Sequence, residues 1–467
     1  MSAESLPSAP ARLPEGRRPE SDVSAGVGLA GLLGLLVWIL VCRTYPLIAD
    51  TLGLSGALSG ARGVLSGPYA ALAAMVFTAG PMVAWSVLVD RVHLRPSTGI
   101  DWTLRRPFAE TWPISLVKLV GLWATFAGLA ALYGLGRWYW DGSYVFAMEV
   151  LAAALIPLMA LSVPYVLWLD RFMVEPRDST WHFGAMIAGR EGWEKSQLAK
   201  HWRAWLIKGF FSAFMISILP GGFAQVVEAS PAQMLGNPVE LAMFLVALLF
   251  VIDVQIGTVG YLLTLRPLDA HIRSGNPFLG GWIAALLCYP PFVWGIIGNG
   301  NQILSYERNV AGWGYWLEGQ PALLWLWAGM IVFLTLVYAW ATIAFGIRFS
   351  NLTYRGVLTN GPYRFTRHPA YLSKNLFWWL TVMPFLVTSN SAADAVRNCF
   401  FLLLVNAIYY WRARTEEAHL LAEDAKYREY HAWMDQHGLI TAPLARLVRA
   451  IGRGPGSARG AVAEPAE

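Results

Sequence analysis

Charged residues are scarce in this chain of 467 residues: 14% are Asp, Glu, Lys or Arg, whereas 56% are hydrophobic. Soluble domains carry about 25% charged residues, so this composition excludes an ordinary soluble protein. The mean hydropathy of +0.45 and the 23 tryptophans agree with this, because tryptophan concentrates at membrane interfaces. The sequence therefore predicts an all-α, polytopic integral membrane protein.

The sequence also lacks the common signatures of metal, nucleotide and disulfide chemistry. The three cysteines, Cys42, Cys288 and Cys399, show neither CxxC nor metal spacing, and the eight histidines form no HExxH pattern. No Walker A motif is present, and no GxGxxG opens a soluble βαβ unit. The basic residues form no stripe of the kind that binds nucleic acid, despite a net charge of +5. We predict no metal and no nucleic acid as ligands, and three buried free thiols.

Long apolar segments dominate instead. Ten of them approach the roughly 20 residues that a helix needs to cross a bilayer. They centre near residues 34, 79, 122, 156, 216, 252, 288, 333, 380 and 402, and the first and the last two are short or interrupted. We therefore predict about ten transmembrane helices.

The loops between these segments alternate in basic content. The loops after the second, fourth, sixth and eighth spans hold most of the basic residues, including Arg91, Arg95, Arg105, Arg106, Arg171, Arg177, Arg190, Lys195, Lys200, Arg203, Arg266, Arg273, Arg348, Arg355, Arg364 and Arg367. The intervening loops hold only Arg43, Arg62, Arg137 and Arg308. Because basic loops stay in the cytoplasm, both termini are predicted to be cytoplasmic, in the inner (plasma) membrane if the source is bacterial.

Composition also divides the chain. Residues 1–24 and 443–467 are predicted to be disordered tails, because they are rich in small and polar residues. Residues 25–320 form an N-terminal multi-span region of unknown role. Within it, the loop 170–206 mixes tryptophans with basic residues and is predicted to lie on the cytoplasmic leaflet as amphipathic helix. Residues 321–442 form a C-terminal membrane domain.

A few polar residues lie inside the apolar segments. Asp253 and Gln255 fall in the middle of a span, where an ionisable residue indicates a site unless a neighbouring helix satisfies it. Lys118 and Glu149 lie nearer to span ends, and we expect both side chains to reach the interface.

The most informative pattern lies near the C-terminus. The stretch 361–371 reads Gly-Pro-Tyr-Arg-Phe-Thr-Arg-His-Pro-Ala-Tyr. A second polar cluster follows about 45 residues later and consists of Arg412, Glu416, Glu417, Leu420, Tyr427 and Tyr430. Two apolar segments between the clusters predict a helical hairpin, which would return both clusters to one membrane face.

This order and spacing resembles the isoprenylcysteine carboxyl methyltransferase and phospholipid methyltransferase group of integral membrane enzymes, over roughly residues 325–435. The resemblance implies S-adenosylmethionine as cofactor and a membrane methyltransferase of lipid-like or prenyl-like acceptors. The cofactor-binding residues it implies are Gly361, Tyr363, Arg367, His368, Pro369, Tyr371, Arg412, Glu416, Glu417, Leu420, Tyr427 and Tyr430. Of these, we assign catalytic roles to Arg367, His368 and Glu417.

The residue types suit that cofactor. Carboxylates accept from its ammonium or ribose hydroxyls, arginine can pair with its carboxylate, and tyrosine faces attract a cation. A carboxylate or thiolate acceptor needs no general base, whereas an amine does. The chain departs from the family pattern at Ser373 and Lys374, where glycine is usual at the first position, and at Glu423-Asp424. These departures concern the acceptor side of the pocket, and the sequence identifies neither the acceptor nor a protein partner.

Other interpretations remain open. An NADPH-dependent membrane reductase of the steroid-reductase type has a similar C-terminal cofactor pocket, although paired glutamates suit a cationic cofactor better. A non-catalytic lipid transporter or binding protein is a third possibility. Arg364 and Arg367 could serve only as topology anchors, and Arg412 with Glu416 could be an exposed helical pair of little value. We expect truncation of His368 or Glu417 to cost little stability, since both lie outside the apolar cores of the spans.

Overall fold

The computed structural model describes residues 17–51, 64–298 and 302–452. Its α-helices in these ranges are α1 Ala25–Thr51, α2 Pro68–Ala84, α3 Phe108–Gly136, α4 Val145–Leu169, α5 Ser179–Ile187, α6 Lys195–Glu228, α7 Pro231–Met234, α8 Pro238–Leu262, α9 Leu279–Leu286, α10 Trp313–Trp316, α11 Pro321–Phe345, α12 Pro369–Val382, α13 Ala392–Glu423, α14 Ala425–His437 and α15 Thr441–Gly452. The strands are β1 Ser274–Gly275, β2 Ile297–Gly298, β3 Leu304–Ser305 and β4 Thr353–Tyr354. Strand β1 pairs antiparallel with β4, and β2 pairs parallel with β3.

Eight helices in the described ranges are long and apolar enough to cross a membrane: α1, α2, α3, α4, α6, α8, α11 and α13. Helices are the natural solution in a bilayer, because every backbone N–H and C=O is satisfied within the segment. The predicted all-α, polytopic membrane fold is confirmed. Two of the ten predicted spans, those near residues 288 and 380, are not long helices.

The first of these two segments is interrupted by proline. Helix α9 has only eight residues, and Pro290 and Pro291 follow it with no N–H to continue a helix. The segment nevertheless runs the length of the bundle. At its start, Asn276 contacts the backbone of Thr415 near the end of α13, and further on Pro290 accepts a 2.6 Å hydrogen bond from Tyr139 in the α3–α4 loop.

The second segment consists of α12 and the turns after it. Fourteen helical residues extend about 21 Å, less than the hydrocarbon thickness of a bilayer. Helix α12 runs antiparallel to α13, and near its end Trp379 donates a 2.8 Å bond to Asn406. The turns then reach Asn309, whose carbonyl accepts from Thr388 at 2.8 Å. The chain thus traverses the bundle on eight continuous helices and two interrupted segments.

The loops group at two ends of the bundle. At one, Ser24 bonds Asp90 at 2.6 Å and Asp22 pairs with Lys426 at 2.5 Å. At the other, Ser66 bonds Glu228 at 2.6 Å. The first end carries the arginine-rich loops and both motif clusters, and we call it the basic end. The predicted hairpin is present, whereas a cytoplasmic location of the basic end stays a prediction.

Parts of the predicted tails are ordered. Residues 1–16 and 453–467 lie outside the described residues. Residues 17–24 are held by hydrogen bonds to the loop before α12: Thr359 donates to the carbonyl of Pro19 at 2.7 Å, and Asn360 to that of Val23 at 2.9 Å. At the other terminus, residues 443–452 continue α15. Residues 17–24 thus make defined hydrogen bonds and residues 443–452 are helical, while the predicted extent of the disordered tails stays a prediction.

The predicted amphipathic loop 170–206 contains α5 and the first turns of α6. The aromatic side chains of α5 point inward, with Trp181 and Phe183 buried. Gly184 packs against α3 so closely that a Cβ there would lie 1.9 Å from the carbonyl oxygen of Val117. Helix α5 is therefore a packed element of the bundle, and a leaflet location for the rest of this loop stays a prediction.

Three polar residues inside spans have internal partners. Asp253 accepts a hydrogen bond from Thr342 of α11, and Gln255 donates to the carbonyl of Ala71 at 3.0 Å. Lys118 is 5% exposed and lies 2.5 Å from Asp170. The expectation that Lys118 reaches the interface is wrong, since a buried carboxylate neutralises it where it stands. Glu149 is exposed.

Candidate active site

The first motif cluster forms a tight turn that starts α12. Gly361 has a φ of +55°, and a Cβ there would lie 3.0 Å from Ala344 and 3.2 Å from the Trp340 indole nitrogen of α11. Only glycine suits both the left-handed backbone and that close approach. Pro369 then occupies the first helical turn, where its missing N–H costs nothing. His368 precedes it as the N-cap residue, at the N-terminal end of α12.

The hairpin of α12 and α13 joins the two clusters through direct contacts. Tyr371 donates a 2.6 Å hydrogen bond to Glu416, and His368 Nε2 lies 2.9 Å from Glu417 Oε1. The rings of His368 and Tyr371 stack, with centroids 5.8 Å apart. Residues 45 to 49 positions apart are therefore one structural unit, as the sequence predicted.

Glu417 is the centre of a buried ion cluster. Its side chain is 3% exposed, and Arg414 approaches its Oε2 at 2.5 Å. Arg367 Nε lies 2.8 Å from Oε1, an ionic contact that is not aligned as a hydrogen bond. Arg367 also donates to Asp435 of α14 at 2.6 Å. Burial alone lowers the pKa of Arg367, but the carboxylates of Glu417 and Asp435 outweigh it and raise that pKa above its usual range.

Arg412 is a second buried cation, 2% exposed. It donates to Asn351 at 2.6 Å and to Glu416 at 3.2 Å, and its guanidinium lies over the rings of Tyr289 and Tyr371 at 5.3 and 5.1 Å. An exposed helical pair of little value is therefore excluded for Arg412 and Glu416. Arg412 instead ties α13 to the interrupted segment after α9 and to the loop after α11.

These groups surround one cavity of about 160 Å³ at the basic end. Nine of the predicted site residues line it: Tyr363, Arg367, His368, Tyr371, Arg412, Glu416, Leu420, Tyr427 and Tyr430. Gly361, Pro369 and Glu417 do not line it. Gly361 and Pro369 shape the turn, and Glu417 holds Arg367 and His368 from behind. Of the two consecutive glutamates, only Glu416 faces the cavity.

The loop 346–358 supplies a wall that the sequence analysis assigned only to topology. Arg355 is buried and donates to the carbonyls of Gly260 and Phe349, both at 2.9 Å, and to that of Ala270. Arg348 pairs with Asp269 at 2.5 Å. Burial, followed by the nearby Arg348, lowers the pKa of Arg355 to about 9. Both arginines line the cavity, and they fix this loop against the end of α8.

The family departures at Ser373 and Lys374 have different consequences. Ser373 is buried and donates back to the carbonyl of Pro369 at 2.8 Å, so it faces α12 itself. Lys374 lines the cavity. Its ammonium lies 5.4 to 5.6 Å from the ring centroids of Tyr338, Trp378 and Tyr409. Lys374 forms no salt bridge with any residue in the described ranges.

Helix α14 covers the cavity from the basic end. Tyr430 donates a 2.6 Å hydrogen bond to the carbonyl of Tyr363, and burial raises the pKa of both phenols. Asp424 caps this helix by accepting from the amide of Lys426 at 2.8 Å, and it also accepts from Tyr354. The second family departure therefore lies at a helix cap that anchors the cover, outside the cavity lining.

The N-terminal segment supports this cover. The Asp22 carboxylate accepts from the Val357 amide at 2.7 Å and pairs with Lys426. Burial raises the pKa of Asp22, but the bonds from Lys426 and Val357 outweigh it and lower that pKa below its usual value. Residues far apart in sequence thus close the cavity together.

Sequence reasoning missed Tyr289, Tyr338, Asn351 and the loop 346–358 as parts of this site. Tyr289 and Tyr338 are single polar aromatics within apolar runs, and Asn351 lies in a loop without a motif. The interruption of the apolar run by Pro290-Pro291 was the available signal, since irregular backbone at membrane depth indicates a cavity or site.

Comparison with known proteins agrees with this geometry for one part of the chain. No curated protein and no solved structure matches this chain. Residues 324–422 match the model of the Isoprenylcysteine carboxyl methyltransferase (ICMT) family, which confirms the resemblance predicted for the C-terminal part.

Proposed function

We propose that this protein transfers a methyl group from S-adenosylmethionine to an anionic, lipid-like acceptor within the bilayer. The family match over residues 324–422 suggests a methyltransferase. One observation carries the proposal: the hairpin in the matched part brings both motif clusters around a single cavity, with Tyr371 bonded to Glu416 and His368 to Glu417.

The residues that line the cavity fit the proposed cofactor. When bound, S-adenosylmethionine supplies an electrophilic methyl group on a sulfonium cation. Glu416 offers a carboxylate to its ammonium or ribose hydroxyls, and the ring of Tyr371 offers a face to the cation. His368 and Arg367, which Glu417 holds in place, can donate to its carboxylate.

Lys374 supports a carboxylate as the acceptor, in preference to a thiol or an amine. Its ammonium lies among three aromatic rings and has no salt-bridge partner in the described part of the chain. A partly buried ammonium without a salt-bridge partner is costly, and an acceptor carboxylate would reduce that cost. A carboxylate also needs no general base, and reaction between opposite charges is favoured in a water-excluded site.

Binding to the full-length protein in nanodiscs tests the cofactor. Calorimetry is expected to give a dissociation constant for S-adenosylmethionine in the micromolar range. Glu416→Gln should weaken that binding, whereas the matched control Glu423→Gln, a more exposed residue on the same helix, should not. Absence of binding to the native chain contradicts the proposal.

One observation favours the reductase alternative. Five cationic residues line the cavity (Arg348, Arg355, Arg367, Lys374 and Arg412) against one carboxylate, Glu416. Such an excess suits a phosphate-rich cofactor such as NADPH. However, Asp269, Glu417 and Glu416 form salt bridges with Arg348, Arg367 and Arg412. Only Arg355 and Lys374 of these five cations then remain without a salt bridge in the described residues. NADPH binding without S-adenosylmethionine binding would establish the reductase, and binding of neither would leave a lipid transporter or binding protein.

Access of a cytosolic cofactor requires the basic end to face the cytoplasm. Ala418 is exposed at the basic end and Ser389 at the opposite end, so cysteines placed there can be labelled from either side. We expect Ala418→Cys to react only with reagent admitted to the cytoplasm, and Ser389→Cys only with external reagent, above the labelling of the parent chain. The reverse pattern contradicts the proposed orientation.

A further inference from the structure

A second cavity, of about 420 Å³, lies in the N-terminal region, outside the residues that match the family. It is bounded by α3, α4, α6 and the loop after α8, at the basic end of the bundle. Pockets of this size that combine apolar walls with a few polar groups are typical binding sites for small ligands.

The cavity exists because two helices diverge. Toward the opposite end, α4 and α6 pack through a cluster that includes Met148, Ala213 and Ile216. Toward the basic end they separate, and Leu158 and Leu161 of α4 line the gap. These two side chains are 49% and 65% exposed, at a depth where the surroundings are lipid. The apolar part of the cavity is therefore open sideways to the bilayer.

The polar part of the cavity begins with a neutral ion cluster. Lys118 Nζ lies 2.5 Å from Asp170 and 3.3 Å from Asp178. Arg266 lies 4.0 Å from Asp178. Two cations and two carboxylates balance, so this cluster fixes α3, α4 and α5 together without a net charge.

Lys208 of α6 adds a cation that has no such partner. Its ammonium donates to the Thr264 hydroxyl at 2.9 Å and lies 4.7 Å from the ring centroid of Trp205. It forms no salt bridge with any residue in the described ranges. His271 also lines the cavity, and its Nδ1 is buried without a hydrogen-bond partner. The polar part therefore carries one unbalanced positive charge and an unused polar atom.

We propose that this cavity binds an anionic membrane lipid. Its phosphodiester head would pair with Lys208 and accept a hydrogen bond from the His271 imidazole, and its chains would leave between Leu158 and Leu161 into the bilayer. Basic pockets between membrane helices recognise lipid head groups in this manner. A single unbalanced cation matches the single charge of a phosphodiester, and the lateral opening matches a ligand that enters from the membrane.

Native mass spectrometry of the full-length, delipidated protein tests the proposal. The probes are phosphatidylglycerol, which carries one negative charge, and phosphatidylcholine, which carries none overall. We expect phosphatidylglycerol to bind about tenfold more tightly. Lys208→Met should lower the affinity for phosphatidylglycerol about tenfold, the scale of one hydrogen bond to a charged group, and should lower that for phosphatidylcholine much less, because choline offsets its phosphate charge. The matched control Lys200→Met, an exposed lysine on the same helix, should change neither.

Inorganic phosphate distinguishes the two sources of the same head-group chemistry. If millimolar phosphate fails to displace phosphatidylglycerol, the proposal of a lipid site is supported. If millimolar phosphate displaces it, the cavity is a site for free phosphate and the proposal is overturned. Equal affinity for the two lipids, or an unchanged preference in Lys208→Met, also overturns it. Because Lys208 has no carboxylate partner to leave unpaired, Lys208→Met should fold, and an unaltered melting temperature checks this.

Discussion

The two cavities at the basic end are built on opposite principles. The C-terminal one, about 160 Å³, is walled partly by the two interrupted segments and the loop 346–358, which bring Tyr289, His368 and Asn351 into its lining. The N-terminal one, about 420 Å³, lies between continuous helices that separate toward the basic end, and the part of it lined by Leu158 and Leu161 is apolar. Interrupted backbone allows many polar groups from distant elements to converge, whereas splayed helices leave room for a chain and one charge.

The difference also appears in how each region uses its buried ions. Around the C-terminal cavity, Arg367, His368 and Arg414 converge on one carboxylate, Glu417, which does not line the cavity. Around the N-terminal cavity, Lys118 bridges two carboxylates that do line it. The first cluster positions other side chains, and the second forms the wall itself.

The largest effect is expected where Glu417 holds the C-terminal cluster. Glu417→Ala leaves Arg367 and His368 without their shared carboxylate, and should lower the free energy of unfolding by about 3 kcal/mol. This is the lower end of the range for a broken buried pair, because Arg414 is half-exposed and Arg367 keeps Asp435. Thermal unfolding in detergent measures it, with Glu423→Ala as control. The earlier expectation that truncating Glu417 costs little is wrong if this loss is found, and stands if the two variants melt alike.

Glu416 sharpens the comparison within one helix, because it faces the cavity while Glu417 does not. Glu416→Gln keeps the shape and an acceptor for Arg412 but removes the charge. Affinity for S-adenosylmethionine should fall about 10- to 100-fold, the scale of a hydrogen bond to a charged group. The melting temperature should change far less than in Glu417→Ala. A large loss of stability with unaltered affinity would reverse the assigned roles.

Lys374 tests whether the acceptor side differs from the cofactor side of the same cavity. Lys374→Met keeps the apolar stem among the three rings and removes the ammonium. We expect the KM for a carboxylate acceptor to rise about tenfold, with the affinity for S-adenosylmethionine unchanged. Steady-state methyl transfer together with calorimetry separates the two. Equal loss on both sides would place Lys374 against the cofactor instead.

The smallest effect is a pH dependence of the N-terminal segment. The pKa of Asp22 in the folded protein lies below its usual value of 3.8, so its pairing with Lys426 stabilises the segment above that pH. This stabilisation is lost as the pH falls through the lowered pKa, because protonation removes the charge. Hydrogen exchange of residues 17–24, corrected for the intrinsic rate, should accelerate below about pH 4. Asp22→Asn should exchange fast at every pH, and a protected segment in that variant would exclude this role.

The hairpin could be predicted from the sequence because two apolar segments and the polar clusters on either side of them are local signals. Ten membrane-crossing segments were also predicted, and eight of them are continuous helices in the described residues. The sequence could not separate Glu416 from Glu417 by type, although neighbouring helix positions point about 100° apart and therefore make different contacts. That geometric argument was available from the sequence.

The remaining errors concern partners that lie far away in the chain. Lys118 was expected at the interface because it lies near a span end. Its partners Asp170 and Asp178 are 52 and 60 positions away, and apolar periodicity carries no signal of such a contact. Arg348 and Arg355 were counted as topology charges, since a basic loop and a buried structural arginine have the same composition. Only the fold shows that Asp269 and backbone carbonyls receive them.

The two interrupted segments have a consequence for biogenesis. Neither α9 nor α12 can rest alone in lipid, because the turns after each leave backbone N–H and C=O groups that only protein partners satisfy. Each segment also makes a side-chain hydrogen bond to α13, the last candidate membrane-spanning helix in chain order: Asn276, before α9, donates to the carbonyl of Thr415, and Trp379 of α12 donates to Asn406. During translation both segments must therefore stay near the insertion machinery, shielded from lipid, until α13 emerges. We expect a truncated, released chain that ends before residue 392 to expose both segments to protease, because the C-terminal cavity forms only after α13 has joined the bundle.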